Sequence, residues 1–328
     1  MSETEHAALP SKKLRIGLGV ITHRRMNGLL RLLESFRQMK VPADVACTVL
    51  IAENDDAPTL DAHIAALQAA VPFEVQLDFE KTRGIPFARN KVLDMALAGN
   101  FDFLTFVDDD QIVDRFWLVM LFSSMQAREL DLVGGPNLFI QDPEATLPWQ
   151  NRLVLQDYKR SKRYINSYRS SLVLTDSECE IPIYTNNWML RMSKLRELGV
   201  RFDADYAISG GSDTKFYHDS CQAGAVTGWA SDAHVSEIWP ASRLTFRYLY
   251  KRTRDQRSTT LLRAQEEPAL PRALLFLCLK CYKAFGLLLR SPFNNFRTLP
   301  VAIRRVAEGV GTVRAARRLK SQLYRPSD

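Results

Sequence analysis

The chain is 328 residues long, 46% hydrophobic and 25% charged, with 15 Gly and 15 Pro, a composition that excludes a disordered or fibrous protein. Its 44 Lys and Arg against 37 Asp and Glu sum to +7, but residues 270–328 hold 12 basic residues against Glu308 and Asp328, a local +10 that leaves −3 for residues 1–269. A protein that grips nucleic acid along its length is disfavoured, because an acidic body repels a phosphate backbone.

Residues 1–13 are polar and lack the apolar stretch of a secretory signal. Residues 14–21 form an apolar run that predicts a buried strand feeding the polar Thr22-His23-Arg24-Arg25. Leu29, Leu30, Leu32, Leu33, Phe36 and Met39 then recur at helical spacing before Pro42. Residues 47–52 predict a second strand, which runs into Glu53-Asn54-Asp55-Asp56. A short helix over 60–70, a strand over 73–78, the loop Lys81-Thr82-Arg83-Gly84 and a helix over 88–98 follow. The fourth strand, 101–107, is closed by Asp108-Asp109-Asp110. Alternating strands and helices predict a mostly parallel α/β sheet. Ligands of such sheets bind beyond the carboxyl ends of the strands, where all these polar clusters fall.

Further on, residues 137–180 are polar with weak periodicity and read as a long excursion from the sheet. Gly210-Gly211-Ser212-Asp213 precedes a helix over about 214–223. Residues 226–235 read as a strand containing Trp229, and 242–254 as a basic helix. Residues 273–289 are apolar apart from Lys280 and Lys283, too short and too charged for a membrane span. Residues 293–324 alternate apolar side chains with arginines, the pattern of a helix lying on an anionic membrane; a solvated basic face is the alternative.

Five cysteines, an odd number, in a chain large enough to fold without staples argue for reduced thiols and a cytosolic setting. Cys278 and Cys281 form a CxxC inside an apolar run, with no second pair to complete a metal site. Gly17 and Gly19 lie within the first strand and Thr22 stands where a third glycine would be needed. With no GxxxxGK[ST], GxSxG or HExxH in the chain, nucleotide hydrolysis by a phosphate loop and the two commonest hydrolase types lose support. Three adjacent aspartates repel one another unless a cation or donors gather around them. Mg²⁺ or Mn²⁺ bridging a diphosphate is the natural partner, and a solvated acidic turn the alternative.

Together, Thr22-His23-Arg24-Arg25, Glu53-Asn54-Asp55, Arg83-Gly84 with Arg89-Asn90, and Asp108-Asp109-Asp110 resemble the nucleotide-sugar half of family 2 glycosyltransferases of the GT-A fold. The segment Gly210-Gly211-Ser212-Asp213-Thr214, followed by Trp229, Val235-Ser236-Glu237 and Arg243, is similar to their acceptor half, most of all in succinoglycan-type exopolysaccharide transferases. The resemblance covers residues 14–255. It implies a catalytic domain with halves at 14–135 and 136–255, a Rossmann-like, mostly parallel sheet flanked by helices, and a helical, amphipathic, basic tail at 268–325.

The resemblance also implies roles. Thr22, Arg24, Glu53, Asp55, Arg83, Asp108 and Asp109 would contact a UDP-sugar. Asp110 would hold the divalent metal, with His234 or Glu237 as a further ligand. Asp213 would be the general base that takes the proton from the acceptor hydroxyl. Ser212 stands where the family has a first acid, which leaves Asp213 as the motif's one carboxylate; an ordinary helix-start residue is its alternative reading. Trp188, Trp229 and Trp239 are candidates to stack on acceptor sugars, against the commoner fate of core packing. The QxxRW of processive members is absent after residue 240, which implies one sugar per encounter. The expectation is an inverting transferase acting on a glycan or lipid-linked oligosaccharide, without nucleic acid, in the cytoplasm and held peripherally on the inner face of the cell membrane by its tail. A sugar nucleotidyltransferase is a competing class, but it wants a glycine-rich phosphate loop after the first strand. A non-catalytic protein binding membrane or nucleic acid through the tail is another.

Overall fold

A computed structural model describes residues 13–142, 146–174, 181–207 and 211–319. Gly210 and Cys179 lie outside the described residues. In chain order the elements are β1 (Leu14–Thr22), α1 (Met26–Gln38), β2 (Val45–Asn54), α2 (Ile64–Ala69), β3 (Glu74–Glu80), α3 (Ile85–Ala98), β4 (Phe103–Asp108), β5 (Gln111–Val113), α4 (Trp117–Ala127), β6 (Leu132–Gly134) and β7 (Asn137–Ile140). They continue with α5 (Trp149–Leu174), β8 (Trp188–Arg191), α6 (Met192–Leu198), α7 (Ser212–Gln222), β9 (Thr227–Trp229), β10 (Val235–Ile238), α8 (Phe246–Arg263), α9 (Leu270–Arg290) and α10 (Leu299–Ala316).

The chain forms two compact units, each assembled from more than one stretch of sequence. The first contains described residues up to Pro136, within Leu172–Phe202, and Asp213–Val235. It is built on a seven-stranded sheet of order β3-β2-β1-β4-β8-β6-β9. β1 is parallel to β2 and β4, and β2 to β3, while β8 runs antiparallel to β4 and β6. Helices cover both faces, which is why the strands read as unbroken apolar runs. Ile16, Leu18 and Val20 of β1 pack with Leu29, Leu32 and Phe36 of α1 and with Trp117 and Leu121 of α4 on one face. Leu50, Ala52, Leu104 and Phe106 pack with Val92 and Leu93 of α3 on the other. Gly17 and Gly19 point to that second face. A Cβ at Gly19 would stand 2.6 Å from the Thr105 carbonyl oxygen, so these glycines serve strand packing.

The second unit contains Asn137–Ser171, described residues within 203–212, and the described residues from Ser236 onward. The region expected to be an excursion is mostly the 26-residue helix α5. Its periodicity is weak because apolar residues are buried at Val154, Leu155 and Tyr158 but Tyr164, Ile165 and Tyr168 are exposed. The expected strand at 226–235 is two short strands, β9 and β10, and β10 neighbours β7 in a small sheet. Phe139, Val154, Tyr158, Trp239, Leu244 and Leu249 make the core of this unit.

The basic tail is corrected in one respect. α10 is not a solvent- or lipid-facing arginine helix: it packs on α8 and α9, burying Pro300, Ala302, Ala307, Gly309 and Ala315. Arg304 pairs with buried Asp157 at 2.7 Å, and Arg314 lies 3.9 Å from Asp255. Among the described residues no helix is long and apolar enough to cross a membrane. Cys47, Cys221, Cys278 and Cys281 are free thiols.

Candidate functional site

Parallel pairing puts the ends of β1, β2 and β4 side by side: Thr22 is in register with Glu53, and Ile21 with Asp108. The loops beyond these strands therefore share one edge of the sheet in the first unit. After β1, Arg24 adopts a left-handed backbone with φ 53°, a conformation that costs a non-glycine residue about 1–2 kcal/mol. It is held there by a two-pronged contact to buried Asp55, Nε to Oδ2 at 2.6 Å and Nη2 to Oδ1 at 2.7 Å. The same guanidinium hydrogen bonds, with help from the Asp56 N–H, the Arg24 charge and His23, pull the Asp55 carboxyl down to about 2 against the penalty of burial.

Glu53 is also buried, and its carboxylate accepts hydrogen bonds from the Thr59 N–H, the Thr59 hydroxyl and the Leu60 N–H. It pins the loop after β2 and has no free face for a nucleobase. Asn54, given no role from sequence, clamps the loop after β3: its amide donates to the carbonyls of Glu80 and Thr82 and accepts from the Gly84 N–H. Gly84 has φ 140°, which a side chain would disfavour, and it opens α3. Arg83 beside it is half-exposed, with Nε 3.3 Å from Asp56.

The aspartate triplet lies at the end of β4. Thr22 donates its hydroxyl to Asp109 Oδ2 at 2.7 Å. Arg25, in the β1–α1 loop, places Nη1 3.0 Å from both Asp109 Oδ1 and Asp110 Oδ2. Burial raises the Asp109 pKa, and the Thr22 hydroxyl and the Arg25 charge oppose it. The Arg25 pKa is raised in turn: burial works against its charge, but Asp109, Asp110 and Asp108 outweigh that. Sequence reading placed Arg25 in the motif but gave it no function. What brings it close is Gly28 of α1, where a Cβ would sit 2.6 Å from the Asp109 carbonyl oxygen.

Among the described residues no three His, Cys, Asp or Glu side chains converge as a metal site. The carboxylate of Asp110 nevertheless suits a hard cation, which takes one or two protein carboxylates and fills its remaining positions with water and phosphate, whereas both oxygens of Asp109 are engaged by Thr22 and Arg25. Asp110 is the accessible member, its side chain 25% exposed against 6% for Asp109.

Asp213 stands in the first turn of α7 and accepts from the Thr214 N–H at 2.8 Å. One turn on, Phe216 packs against Trp188 at 5.1 Å and Phe202 at 4.4 Å, and Trp188 stacks on Phe106, two residues before Asp108. Residues three apart share a helix face, so this aromatic chain ties the Asp213 turn to the carboxyl end of β4. His234 is half-buried after β9, and its carbonyl accepts from the Asp114 N–H. Glu237 belongs to the second unit, 3.6 Å from Arg243. The tryptophan expectation is corrected: Trp188, Trp229 and Trp239 are all at most 2% exposed. Trp239 is packed among Phe139, Tyr158 and Tyr248. None of the three offers an indole face to a sugar.

No family model matches the chain. The succinoglycan biosynthesis protein ExoM of Rhizobium meliloti (strain 1021) is 31% identical over 247 residues, 74% of this chain and 73% of that protein. Among solved structures, S. aureus TarS 1–349 aligns over 93% of this chain and 91% of its own, with a TM-score of 0.50 at 12% identity, and the same figures hold for its complex with UDP. This chain spans 55% of the longer S. aureus TarS structure. At that identity the likeness concerns the fold.

Proposed function

The chain belongs to the family 2-like glycosyltransferases of bacterial exopolysaccharide synthesis, and we propose that it moves a sugar from a UDP-sugar to a hydroxyl of a glycan or lipid-linked oligosaccharide, one sugar per encounter and with inversion. The observation that carries this reading is the gathering of Asp108, Asp109, Asp110, Arg24 and Arg25 at neighbouring strand ends, in a chain 31% identical to a succinoglycan protein over 74% of its length.

The work divides by accessibility. Asp108 accepts from the uracil N–H or ribose hydroxyls, carboxylates being acceptors for both. Arg24 and Arg83, exposed and anchored by Asp55 and Asp56, offer positive charge to the diphosphate. Thr22, Glu53, Asp55 and Asp109, each buried and internally bonded, hold those loops in place. Asp110 would hold Mg²⁺ or Mn²⁺, with an imidazole nitrogen of His234 as a further ligand, and the metal would supply positive charge to the departing diphosphate. Asp213 takes the proton from the acceptor hydroxyl as its oxygen bonds to the anomeric carbon and the bond to UDP breaks.

Calorimetric titration with UDP, GDP and TDP, with and without Mn²⁺, tests the donor site, and UDP is expected to bind best. Asp213→Asn is expected to keep UDP affinity within a few fold while lowering turnover about 100-fold or more, the usual contribution of a general base. Asp110→Asn should lose the metal-dependent part of nucleotide binding. Near-normal turnover in Asp213→Asn removes the base assignment, and silence toward every nucleotide removes the transferase reading.

A further inference from the structure

Residues 268–307 contain seven basic residues and no acidic one, and α9 occupies the first half of this stretch. One side of α9 is committed. Ala273 and Ala284 are buried, Gly309 of α10 lies against Leu277, and Lys280 pairs with Glu308 of α10. The opposite side carries Leu275, Leu279, Tyr282, Phe285 and Leu289, spaced as a single helical stripe and each 52–78% exposed. Phe293, just beyond the helix, is 92% exposed. Arg272, Lys283 and Arg290 are exposed and, at ~100° per residue, run along one edge of that stripe.

We propose that this face of α9 docks on an anionic bilayer, with the helix in the plane of the interface, the stripe in the acyl boundary and the three basic side chains on the lipid phosphates. A contiguous apolar face of this kind is rarely left to water, and an apolar stripe bordered by Lys and Arg is the construction of interfacial helices. Charge selects the occupant: an anionic surface complements the border, whereas a second copy of the chain would bring the same positive border against itself. The helix cannot enter end-on, because its other side is packed on α10 and carries the Lys280–Glu308 pair. The contact falls on α9 because the arginines of α10 at 304 and 314 are engaged by Asp157 and Asp255. The inference is independent of the nucleotide chemistry and is read by a different assay.

The test is co-sedimentation of the full chain with vesicles of phosphatidylcholine alone, or with a quarter of phosphatidylglycerol, at low and high salt. The chain is expected to bind the anionic vesicles, to bind them less at high salt, and to leave the neutral ones largely unbound. Leu275→Gln/Leu279→Gln/Phe285→Gln should weaken binding roughly tenfold or more through lost apolar insertion, with an unchanged thermal melt because all three sites are exposed. Lys283→Gln and Arg290→Gln should each weaken it about fivefold. The proposal is overturned if the chain ignores anionic vesicles, if it binds both compositions equally, if the triple variant binds like the parent, or if that variant instead abolishes a concentration-dependent dimer.

Discussion

At the scale of single residues, the strand-end charges divide into those that face outward and those that hold the outward-facing ones. Asp55 is of the second kind, and its pairing with Arg24 has a pH signature. Its carboxyl, near 3.9 when unfolded, is held at about 2 in the fold, so it contributes stability above about pH 4 that disappears as the pH falls toward 2. Thermal melts of the parent and Asp55→Asn should differ most above pH ~4 and converge near pH ~2; a gap that persists unchanged at the acid end would show that the pair is not what separates them. The residue types at these strand ends were legible in the sequence, since each follows an apolar run. Their partners were not: Glu53 meets Thr59 within its own loop, but Asp55 meets Arg24 and Asp109 meets Thr22 only because β1 lies between β2 and β4.

At the scale of elements, the close seating of α1 on the aspartate triplet rests on Gly28. Gly28→Ala gains about 1 kcal/mol in helix propensity but drives a Cβ to 2.6 Å from the Asp109 carbonyl oxygen. A backbone atom cannot rotate aside, so overpacking of about 1–3 kcal/mol should prevail, lowering the melting temperature and weakening UDP binding as Arg25 moves off Asp109 and Asp110. A higher melting temperature would mean that α1 shifts without cost. The strands and helices of the first 110 residues follow the sequence reading closely, because a strand buried on both faces and a helix with one apolar stripe are local patterns. The pattern of α5 is weak because its later turns carry exposed apolar and aromatic side chains, Tyr164, Ile165 and Tyr168. The three tryptophans escaped because indole suits a core and a sugar platform equally, and only neighbours such as Phe106, Phe202 and Phe216 decide which.

At the scale of the whole molecule, the C-terminal segment is a structural part of the second unit. Deleting residues 270–328 would strip α9 and α10 from α8, exposing the apolar surface they cover, and take Arg304 from Asp157. The truncated chain should melt lower and bind a hydrophobic dye, while Leu275→Gln, on the open face of α9, should melt like the parent; equal melting of the truncated chain would restore the view of a separable tail. The sequence by itself determined the α/β class, the order of strands and helices, the polar clusters at strand ends and the uneven distribution of charge, all of which depend on residues near one another in the chain. Only the tertiary structure decided which carboxylates are spent inside the protein and which remain accessible, and that α9 rather than α10 keeps an open face. Those outcomes depend on pairings between distant segments, such as Asp55 with Arg24 and Arg304 with Asp157, and no local pattern encodes them.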